Sequence, residues 1–343
     1  MKRYLNTLFI TTQGAYLSKE GETVVVTVDK ETRLQMPIHN IGGIVCFGQV
    51  AMSPFLMGFC AENKVAVSFL SEHGHFLANV QGEISGNVLL RREQYRRADD
   101  EKSSIEISKS ILIGKVTNCR TVLQRALRDH SDKLNDSEIP GISDRLVFIV
   151  EQIRRADSLE GLRGLEGEAA NAYFGVFDHL IVAQKNDFSF RNRTRRPPLD
   201  EVNCLLSFIY TLLMHDVRSG LETVGLDSCV GFLHRDRPGR PGLALDIMEE
   251  FRSFLADRLT LSLINREQVR KNGFKKMESG AVIMDDDTRK EVITAYQKRK
   301  QEEITHPYLR ESVQTGLLFF IQALLLARHL RGDIDGYPVF IWK

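Results

Sequence analysis

GNVLLRREQYRR, residues 86–97, is the stretch at which this chain changes from one structural pattern to another. Before it, short runs rich in Val, Ile, Thr and aromatic residues alternate with turn signals, a pattern that predicts β-strands. After it, apolar residues recur at helical spacing. The sequence therefore predicts an α+β protein with a small β-rich N-terminal domain, residues 1–92, followed by a larger all-α domain, residues 93–343.

The same patterns place the individual elements. In the first domain we expect a short helix at 52–63 and strands at 4–12, 15–18, 23–28, 42–47, 65–70 and 74–81. In the second domain we expect helices at 103–130, 143–154, 158–182, 199–219, 244–262, 286–303 and 309–331. The segment 184–198 carries several arginines and a Pro-Pro pair, which predicts a loop.

Composition narrows the classes of function. The 46 Lys and Arg residues nearly balance the 45 Asp and Glu residues, so any nucleic-acid surface must be a local patch. The five cysteines include no CxxC pair, which argues against a disulfide framework or a cysteine-based zinc site. The N-terminus lacks a signal-peptide pattern, and the most apolar stretch, 316–327, is shorter than the roughly 20 residues that span a bilayer. We therefore expect a cytoplasmic protein without a membrane segment.

Glu166 is the first candidate site residue. It lies in LEGEAANAYF, residues 165–174, where helical steps from it reach an apolar stripe that includes Ala169, Ala170 and Tyr173. This spacing predicts that Glu166 lies on the buried face of its helix, where a carboxylate requires a positive partner. From the residues alone two interpretations stay open: a buried ion pair with an arginine, or a metal ligand.

His234, Asp246 and Glu249 form the second candidate group. His234 ends a short apolar run before a Pro/Gly-rich turn, while Asp246 and Glu249 lie three residues apart at the start of the next helix. Together with Glu166 they make a set of carboxylates and one imidazole, which suits Mn²⁺ or Mg²⁺ and, without thiolates, argues against structural zinc. A hydrogen-bonded loop histidine and a helix-capping acidic pair are alternatives that the sequence leaves open.

Three sequence strings carry a resemblance to a known family. LEGEAANAYF at 165–174, GFLH at 231–234 and LDIMEEFR at 245–252 resemble, in this order, the CRISPR-associated integrase of spacer acquisition, the Cas-one family. The strings GNVLLRREQY at 86–95, RRPPLDEVN at 195–203 and GYPVFIWK at 336–343 are also similar to it. The chain looks most like the subfamily that accompanies type I-C systems.

The resemblance implies a fold, an activity and a ligand set. The family has a β-rich N-terminal domain and an α-helical catalytic domain, and its catalytic metal ligands correspond to Glu166, His234 and Glu249, with Asp246 in a supporting role. Many relatives carry Asp where this chain has Glu249. The implied activity belongs to antiviral defence: a metal-dependent integrase and endonuclease inserts short foreign DNA into a CRISPR array by attack of a 3′-hydroxyl on a repeat phosphodiester. A nuclease that does not join strands and a DNA-binding scaffold are the alternatives.

The candidate DNA contacts and partners complete these expectations. The residues we expect at DNA are basic side chains of the 184–198 loop and of the segment around His234, with one helical tyrosine: Arg191, Arg193, Arg195, Arg196, Arg235, Arg237, Arg240 and Tyr210. A solvated surface for the arginines and a core position for the tyrosine remain alternatives. The resemblance further implies double-stranded and branched DNA as ligands, a homodimer formed through the N-terminal domain, a small Cas-two partner and an end-trimming Cas-four nuclease.

Overall fold

A computed structural model describes residues 7–72, 76–80, 82, 88–134 and 137–342 of the chain. The chain divides into two compact units, Met1–Ser85 and Gly86–Lys343. The boundary expected after residue 92 falls inside the second unit, because Val88–Asp99 forms one continuous helix there.

The described residues of the first unit form two four-stranded sheets, one α-helix and one short 3₁₀ helix, Ile38–Asn40. Its elements are β1 (Thr7–Ile10), β2 (Tyr16–Glu20), β3 (Thr23–Val28), β4 (Glu31–Pro37), β5 (Gly43–Phe47), β6 (Ala51–Met52), α1 (Pro54–Glu62), β7 (Ala66–Leu70) and β8 (Phe76–Val80). One sheet has the order β1-β5-β7-β8, with β8 antiparallel to β7 and the other pairs parallel. The second has the order β4-β3-β2-β6, in which only the β2–β6 pair is parallel.

Alternating strand residues and one face of α1 build the core of this unit. Leu17, Val24 and Ile44 are completely buried on their strands. Helix α1 begins after Ser53, whose hydroxyl accepts the N–H of Leu56 at 3.2 Å, an N-cap that fixes where the helix starts. The helix then packs its own apolar residues against β2 and β7.

Strand β4 was missed by the sequence prediction. Its residues are exposed or only half buried, and it lies at the edge of its sheet, so it lacks the apolar alternation on which the prediction relies. The predicted strands 4–12 and 74–81 extend beyond the described residues at positions 4–6, 74–75 and 81.

The second unit is mainly helical. Its elements are α2 (Val88–Asp99), α3 (Glu101–Asp129), α4 (Ser131–Leu134), α5 (Ile139–Arg155), α6 (Leu159–Gly175), α7 (Glu201–Val224), α8 (Gly242–Phe251), α9 (Arg258–Asn265), β9 (Phe274–Lys276), β10 (Val282–Met284), α10 (Asp286–Gln301), β11 (Glu303–Thr305), β12 (Ser312–Gln314) and α11 (Leu318–Leu330). The expected loop 184–198 contains no helix or strand. Among the residues that the structure describes, no helix has the length and apolar character needed to cross a membrane.

The α+β class is confirmed, but the second unit is not all-α. Two antiparallel hairpins, β9–β10 and β11–β12, interrupt the helices, and the helix expected at 309–331 begins only at Leu318. Each of these strands is three residues long, which is too short to leave a periodic signal in the sequence.

Three helices of the second unit position the candidate site. The long helix α3 packs against both α6 and α8, which carry two of the predicted ligands. The helix expected at 244–262 is divided by a π-helical turn, Arg252–Asp257, between α8 and α9. Such turns shift the register of the side chains that follow them and are frequent at functional sites.

Candidate metal and nucleic-acid site

Glu166 lies on α6 and forms an ion pair with Lys115 of α3. Its side chain is 30% exposed, so the carboxylate lies partly rather than completely within the protein. The positive partner that we expected is present, but it is a lysine rather than an arginine. Burial lowers the pKa of Lys115, while Glu249 and then Glu166 raise it by more, so the net shift is upward and the ammonium stays charged.

Glu249 lies on α8 and is almost completely buried. Its Oε1 is 3.0 Å from Arg252 Nη1, and its Oε2 is 2.8 Å from Lys115 Nζ. The second contact lacks hydrogen-bond geometry, so Oε2 accepts no hydrogen bond from the described residues. Burial raises the pKa of this carboxyl, but Arg252 and Lys115 outweigh it and lower the pKa to about 2, which keeps Glu249 ionised.

Asp246 is buried beneath the loop that carries His234. Its Oδ2 accepts the backbone N–H groups of Phe232 at 2.6 Å and Leu233 at 3.0 Å. Its Oδ1 accepts the backbone N–H of His234 at 3.0 Å and lies 2.5 Å from the imidazole Nδ1. A carboxylate at Nδ1 selects the tautomer in which Nε2 is free to bind a metal, an arrangement common at metal-binding histidines.

Close backbone packing fixes the same loop. A side chain at Gly231 would meet Asp246 Oδ2 at 2.6 Å, and one at Gly242 would meet the carbonyl of Cys229 at 2.6 Å. From the other side, Gln94 of α2 donates to the carbonyls of Asp227 and Val230, each at 2.8 Å. His234 is therefore held by contacts on both sides of its loop.

The three predicted ligands line one cavity of about 370 Å³. Its remaining walls come from α6, the 184–198 loop, the His234 segment and the π-helical turn: Glu160, Arg163, Arg195, Leu233, Arg235, Arg237, Arg240 and Arg252. A second cavity of about 710 Å³ shares His234 with the first and extends to Arg193, Arg196 and Tyr210. The structure thus brings Glu166, His234 and Glu249 to a common space beside basic residues.

The donor set fits a divalent cation in its chemistry. Two carboxylates and an imidazole are ligands that Mn²⁺ or Mg²⁺ accepts, and Glu249 Oε2 is a buried carboxylate oxygen that already has a cation 2.8 Å away. Within the described part of the chain, no three His, Cys, Asp or Glu side chains stand close enough together to hold an ion as they are placed. The group between the two carboxylates is the ammonium of Lys115.

Four of the predicted DNA-binding arginines form one positive wall. Arg195, Arg237 and Arg240 line both cavities, and Arg196 lines the larger one. Burial, then the charge of Arg237, lowers the pKa of Arg240, and Arg195 and Arg196 add to this shift. Mutual repulsion of this kind is relieved when an anion such as a phosphate approaches.

The other predicted arginines have different surroundings. Arg235 lines the smaller cavity but donates to Glu160 Oε2 at 2.6 Å, so its charge is already engaged in an exposed ion pair. Arg193 donates to Asn203 Oδ1 at 2.7 Å and Ser207 Oγ at 3.1 Å and braces its loop against α7. Arg191 is exposed and lines neither cavity.

Tyr210 lines the larger cavity from α7. Its hydroxyl donates to Asp257 Oδ1 at 2.6 Å, and the guanidinium groups of Arg193 and Arg252 lie 5.3 and 5.1 Å from its ring centre. Burial and then Asp257 raise its pKa well above 10, so the phenol stays protonated. Tyr210 therefore lines this cavity as a neutral phenol whose hydroxyl is bound to Asp257.

Sequence reasoning missed Lys115, Arg252, Arg163 and Gln94. Arg163 donates to the carbonyl of Leu233 at 2.9 Å and so supports the His234 loop from α6. One signal for Lys115 was available: it lies in the apolar run ILIGKV, residues 111–116, where a charge requires a partner just as at Glu166. The identity of that partner depends on helix packing, which the sequence pattern does not reveal.

Comparison with known proteins assigns the chain to a family. The family model described as "CRISPR associated protein Cas1" matches residues 8–298. A "CRISPR-associated endonuclease Cas1 1" of Chlorobaculum tepidum is 55% identical over the full length of both chains, and a "CRISPR-associated endonuclease Cas1 2" of Rhodospirillum rubrum is 50% identical, also over both full lengths. The chain therefore belongs to the Cas1 family of CRISPR-associated proteins, and it is an endonuclease of that family.

More distant matches include fused and assembled forms. A "CRISPR-associated exonuclease Cas4/endonuclease Cas1 fusion" of Geobacter sulfurreducens is 33% identical over 98% of this chain and 60% of its own length. A chain of a "Cas6-RT-Cas1–Cas2 complex" has a TM-score of 0.82 at 22% identity, over 98% of this chain and 36% of its own. A "Casposase bound to integration product" has a TM-score of 0.83 at 20% identity, over 98% of this chain and 94% of its own. At these identities the two structures establish the fold alone.

Proposed function

We propose that this protein is a metal-dependent DNA integrase and endonuclease that inserts short DNA into a CRISPR array. The observation that carries the proposal is the shared cavity of Glu166, His234 and Glu249, bordered by basic side chains. Two carboxylates and one imidazole would hold Mg²⁺ or Mn²⁺ there, and the bound ion would supply charge stabilisation at a phosphodiester.

The reaction exchanges one phosphodiester for another. A 3′-hydroxyl of the incoming DNA attacks the repeat phosphodiester and releases a repeat 3′-hydroxyl, so no protein nucleophile is needed. The protein has to position the reacting groups and balance the developing charge. Asp246 orients the imidazole of His234, and Glu249 remains ionised at neutral pH, so both groups are prepared before DNA arrives. When water replaces the hydroxyl, the same site cleaves DNA.

Basic side chains of the cavity walls hold the DNA backbone in this proposal. Arg195, Arg237 and Arg240 are the best placed, because they line the cavity of the candidate ligands. Contacts of this kind read phosphates rather than bases, so binding is sensitive to salt and largely independent of sequence. Arg196 and Tyr210 extend the surface into the larger cavity, whereas Arg193 acts through its loop and Arg191 adds only exposed charge.

Partners form a second part of the proposal. Relatives occur in a complex with Cas2 and as fusions with Cas4, which supports a small Cas2 partner and a Cas4 end-trimming nuclease for this chain. The resemblance supports a homodimer formed through the N-terminal unit. Double-stranded and branched DNA are the ligands that the proposed reaction requires.

A strand-transfer assay tests the proposed function. The substrates are a supercoiled plasmid carrying a repeat and a short duplex with free 3′-hydroxyl groups, with Mn²⁺ or Mg²⁺ and the Cas2 partner. Wild type is compared with His234→Ala and with His130→Ala, which changes an exposed histidine at the end of α3. We expect metal-dependent joining by wild type and His130→Ala, and none by His234→Ala.

Two other outcomes would replace the proposal. Cleavage without joined product would leave a metal-dependent nuclease that does not integrate. DNA binding without any reaction, in every variant and with either ion, would leave a scaffold protein in which Glu166, His234 and Glu249 are structural.

A further inference from the structure

Lys115 is the group that separates the two candidate carboxylate ligands. It projects from α3, and its side chain is only 8% exposed. The ammonium contacts Oε1 of Glu166 on α6 and lies 2.8 Å from Oε2 of Glu249 on α8. One buried cation therefore connects the two helices that carry the proposed ligands.

The contacts of Lys115 resemble those of a bound ion. A buried ammonium and a nearly buried carboxylate are stable only as a pair, and here one ammonium serves two carboxylates. A second cation, Arg252, neutralises the other oxygen of Glu249. The Lys115 ammonium thus occupies the position between Glu166 and Glu249, and it is positively charged, as a bound metal ion would be.

An ion cannot bridge the two carboxylates while the ammonium stays between them. A divalent cation would need Glu166 and Glu249 at coordination distance and would stand within a few ångströms of Lys115 Nζ, where like charges repel. The absence of a three-residue chelating group among the described side chains agrees with this arrangement.

We propose that Lys115 is the resident cation of the site: its ammonium neutralises Glu166 and Glu249 until a divalent ion displaces it, and it thereby sets the metal affinity of the site. The inference rests on the proposed function, because it takes these two carboxylates as metal ligands. It assigns to Lys115 a role in reversible metal binding, whereas a purely structural ion pair would stay in place.

Mn²⁺ titration of Lys115 variants tests the inference without an activity readout. Calorimetry would compare wild type with Lys115→Met, which removes the charge, and Lys115→Arg, which keeps it. Lys109→Met is the matched control, because Lys109 lies on the same helix and pairs with the exposed Glu106, which belongs to neither cavity. We expect Lys115→Met to bind Mn²⁺ about tenfold more tightly or better, within the range typical of coupling between competing ligands.

The controls separate the possible outcomes. Lys115→Arg and Lys109→Met should keep the wild-type affinity. Equal or weaker Mn²⁺ binding by Lys115→Met would overturn the inference while leaving the proposed function intact. If wild type binds no Mn²⁺, or if Glu249→Gln binds it as wild type does, the proposed function fails and the inference fails with it.

A measurement on the wild-type protein covers the case in which Lys115→Met does not fold. In protein labelled with ¹⁵N-lysine, the buried Lys115 ammonium should give an exchange-protected signal, assigned by its loss in Lys115→Arg. Addition of Mg²⁺ should abolish or shift that signal as the ion pair opens. A signal unchanged at Mg²⁺ concentrations that saturate the site would contradict displacement.

Discussion

Glu249 and Glu250 are neighbours on α8, and both are buried, yet one contacts cations and the other contacts neutral hydrogen-bonding groups. Glu249 faces the candidate site, where its contacts are the cations Lys115 and Arg252. Glu250 faces the C-terminal segment, where it hydrogen-bonds with Tyr337, with Gln322 Nε2 at 2.8 Å and with the N–H of Phe340 at 2.8 Å.

The two carboxyl groups respond differently to the same burial. At Glu249, Arg252 and Lys115 outweigh burial and lower the pKa to about 2. At Glu250, burial outweighs the hydrogen bonds and raises the pKa to about 8. Helix α8 thus presents an ionised carboxylate to the site and a largely protonated carboxyl to the tail. The comparison teaches that neighbouring cations, rather than depth, decide which buried carboxylate is available as a metal ligand.

The C-terminal segment that contacts Glu250 is hydrogen-bonded to two helices. Asn118 of α3 donates to the carbonyls of Glu250 at 2.8 Å and Phe340 at 2.9 Å, and it accepts the N–H of Trp342 at 2.8 Å. These bonds attach the C-terminal segment to α3 and α8. These contacts therefore hold in place the helix that also carries Asp246 and Glu249.

The largest expected effect comes from substituting Glu249, the carboxylate that faces the candidate site. Glu249→Gln keeps the side-chain shape but removes the charge that would hold the ion, and we expect metal-dependent cleavage to fall by more than about 100-fold, beyond the 10–100-fold typical of partners outside the ligand shell. Glu250→Gln is the matched control and should keep most of the activity. Cleavage kinetics on one DNA substrate measure both, and equal losses would remove the functional contrast between the two residues.

Asp246→Asn should have the next largest effect. The amide no longer selects the His234 tautomer with a free Nε2, so we expect a loss of about 10–100-fold in activity and in Mn²⁺ affinity. Asp227→Asn, which alters a contact between Tyr95 of α2 and an earlier residue of the same loop, is the control. Similar losses in both variants would indicate that general loop stability, rather than the orientation of His234, controls the site.

Tyr337→Phe probes the tail side of α8. It leaves a buried carboxyl of Glu250 without one hydrogen-bond partner, which costs about 1–3 kcal/mol of unfolding free energy. Activity should stay within about twofold of wild type, because no atom of the site cavity is changed. Urea denaturation and cleavage kinetics give the two readouts. A strong loss of activity at unchanged stability would instead place Tyr337 in the catalytic machinery.

The smallest expected effect is the change in unfolding free energy over one pH unit. The pKa of Glu250 is raised from 4.5 to about 8, so the folded protein holds a proton that the unfolded chain releases. The stabilising contribution is fully present below pH 4.5, declines as the pH rises and is gone above about 8, with a slope of at most about 1.4 kcal/mol per pH unit. Glu250→Gln should flatten this decline in urea denaturation at several pH values. The same decline in both proteins would assign it to other groups.

Local strings and the family resemblance were sufficient to name the candidate ligands but not to predict their surroundings. Glu166 became a candidate because its own helix places it beside an apolar stripe, and Asp246 and Glu249 became candidates because their spacing places them on one helical face. Lys115 lies 51 residues before Glu166 in sequence, and Tyr337 lies 87 residues after Glu250. Contacts over such separations depend on how helices pack, and a single sequence carries no direct signal for them.

The fold was also only partly predictable from local sequence patterns. The long amphipathic helices and the buried strands were predicted because each repeats a pattern over several residues, whereas the edge strand β4 and the two three-residue hairpins do not. The π-helical turn at Arg252–Asp257 was also missed, because its residues fit a continuous helix equally well in sequence.

A crystal structure grown with Mn²⁺, with anomalous scattering data, tests the central claim most directly. We predict one anomalous peak at coordination distance, about 2.1 Å, from oxygens of Glu166 and Glu249 and from Nε2 of His234, with Lys115 Nζ displaced from both carboxylates and Glu250 still bound to the tail. A site that lacks a peak at saturating Mn²⁺, or a peak held by other residues while Lys115 keeps both ion pairs, would contradict the account.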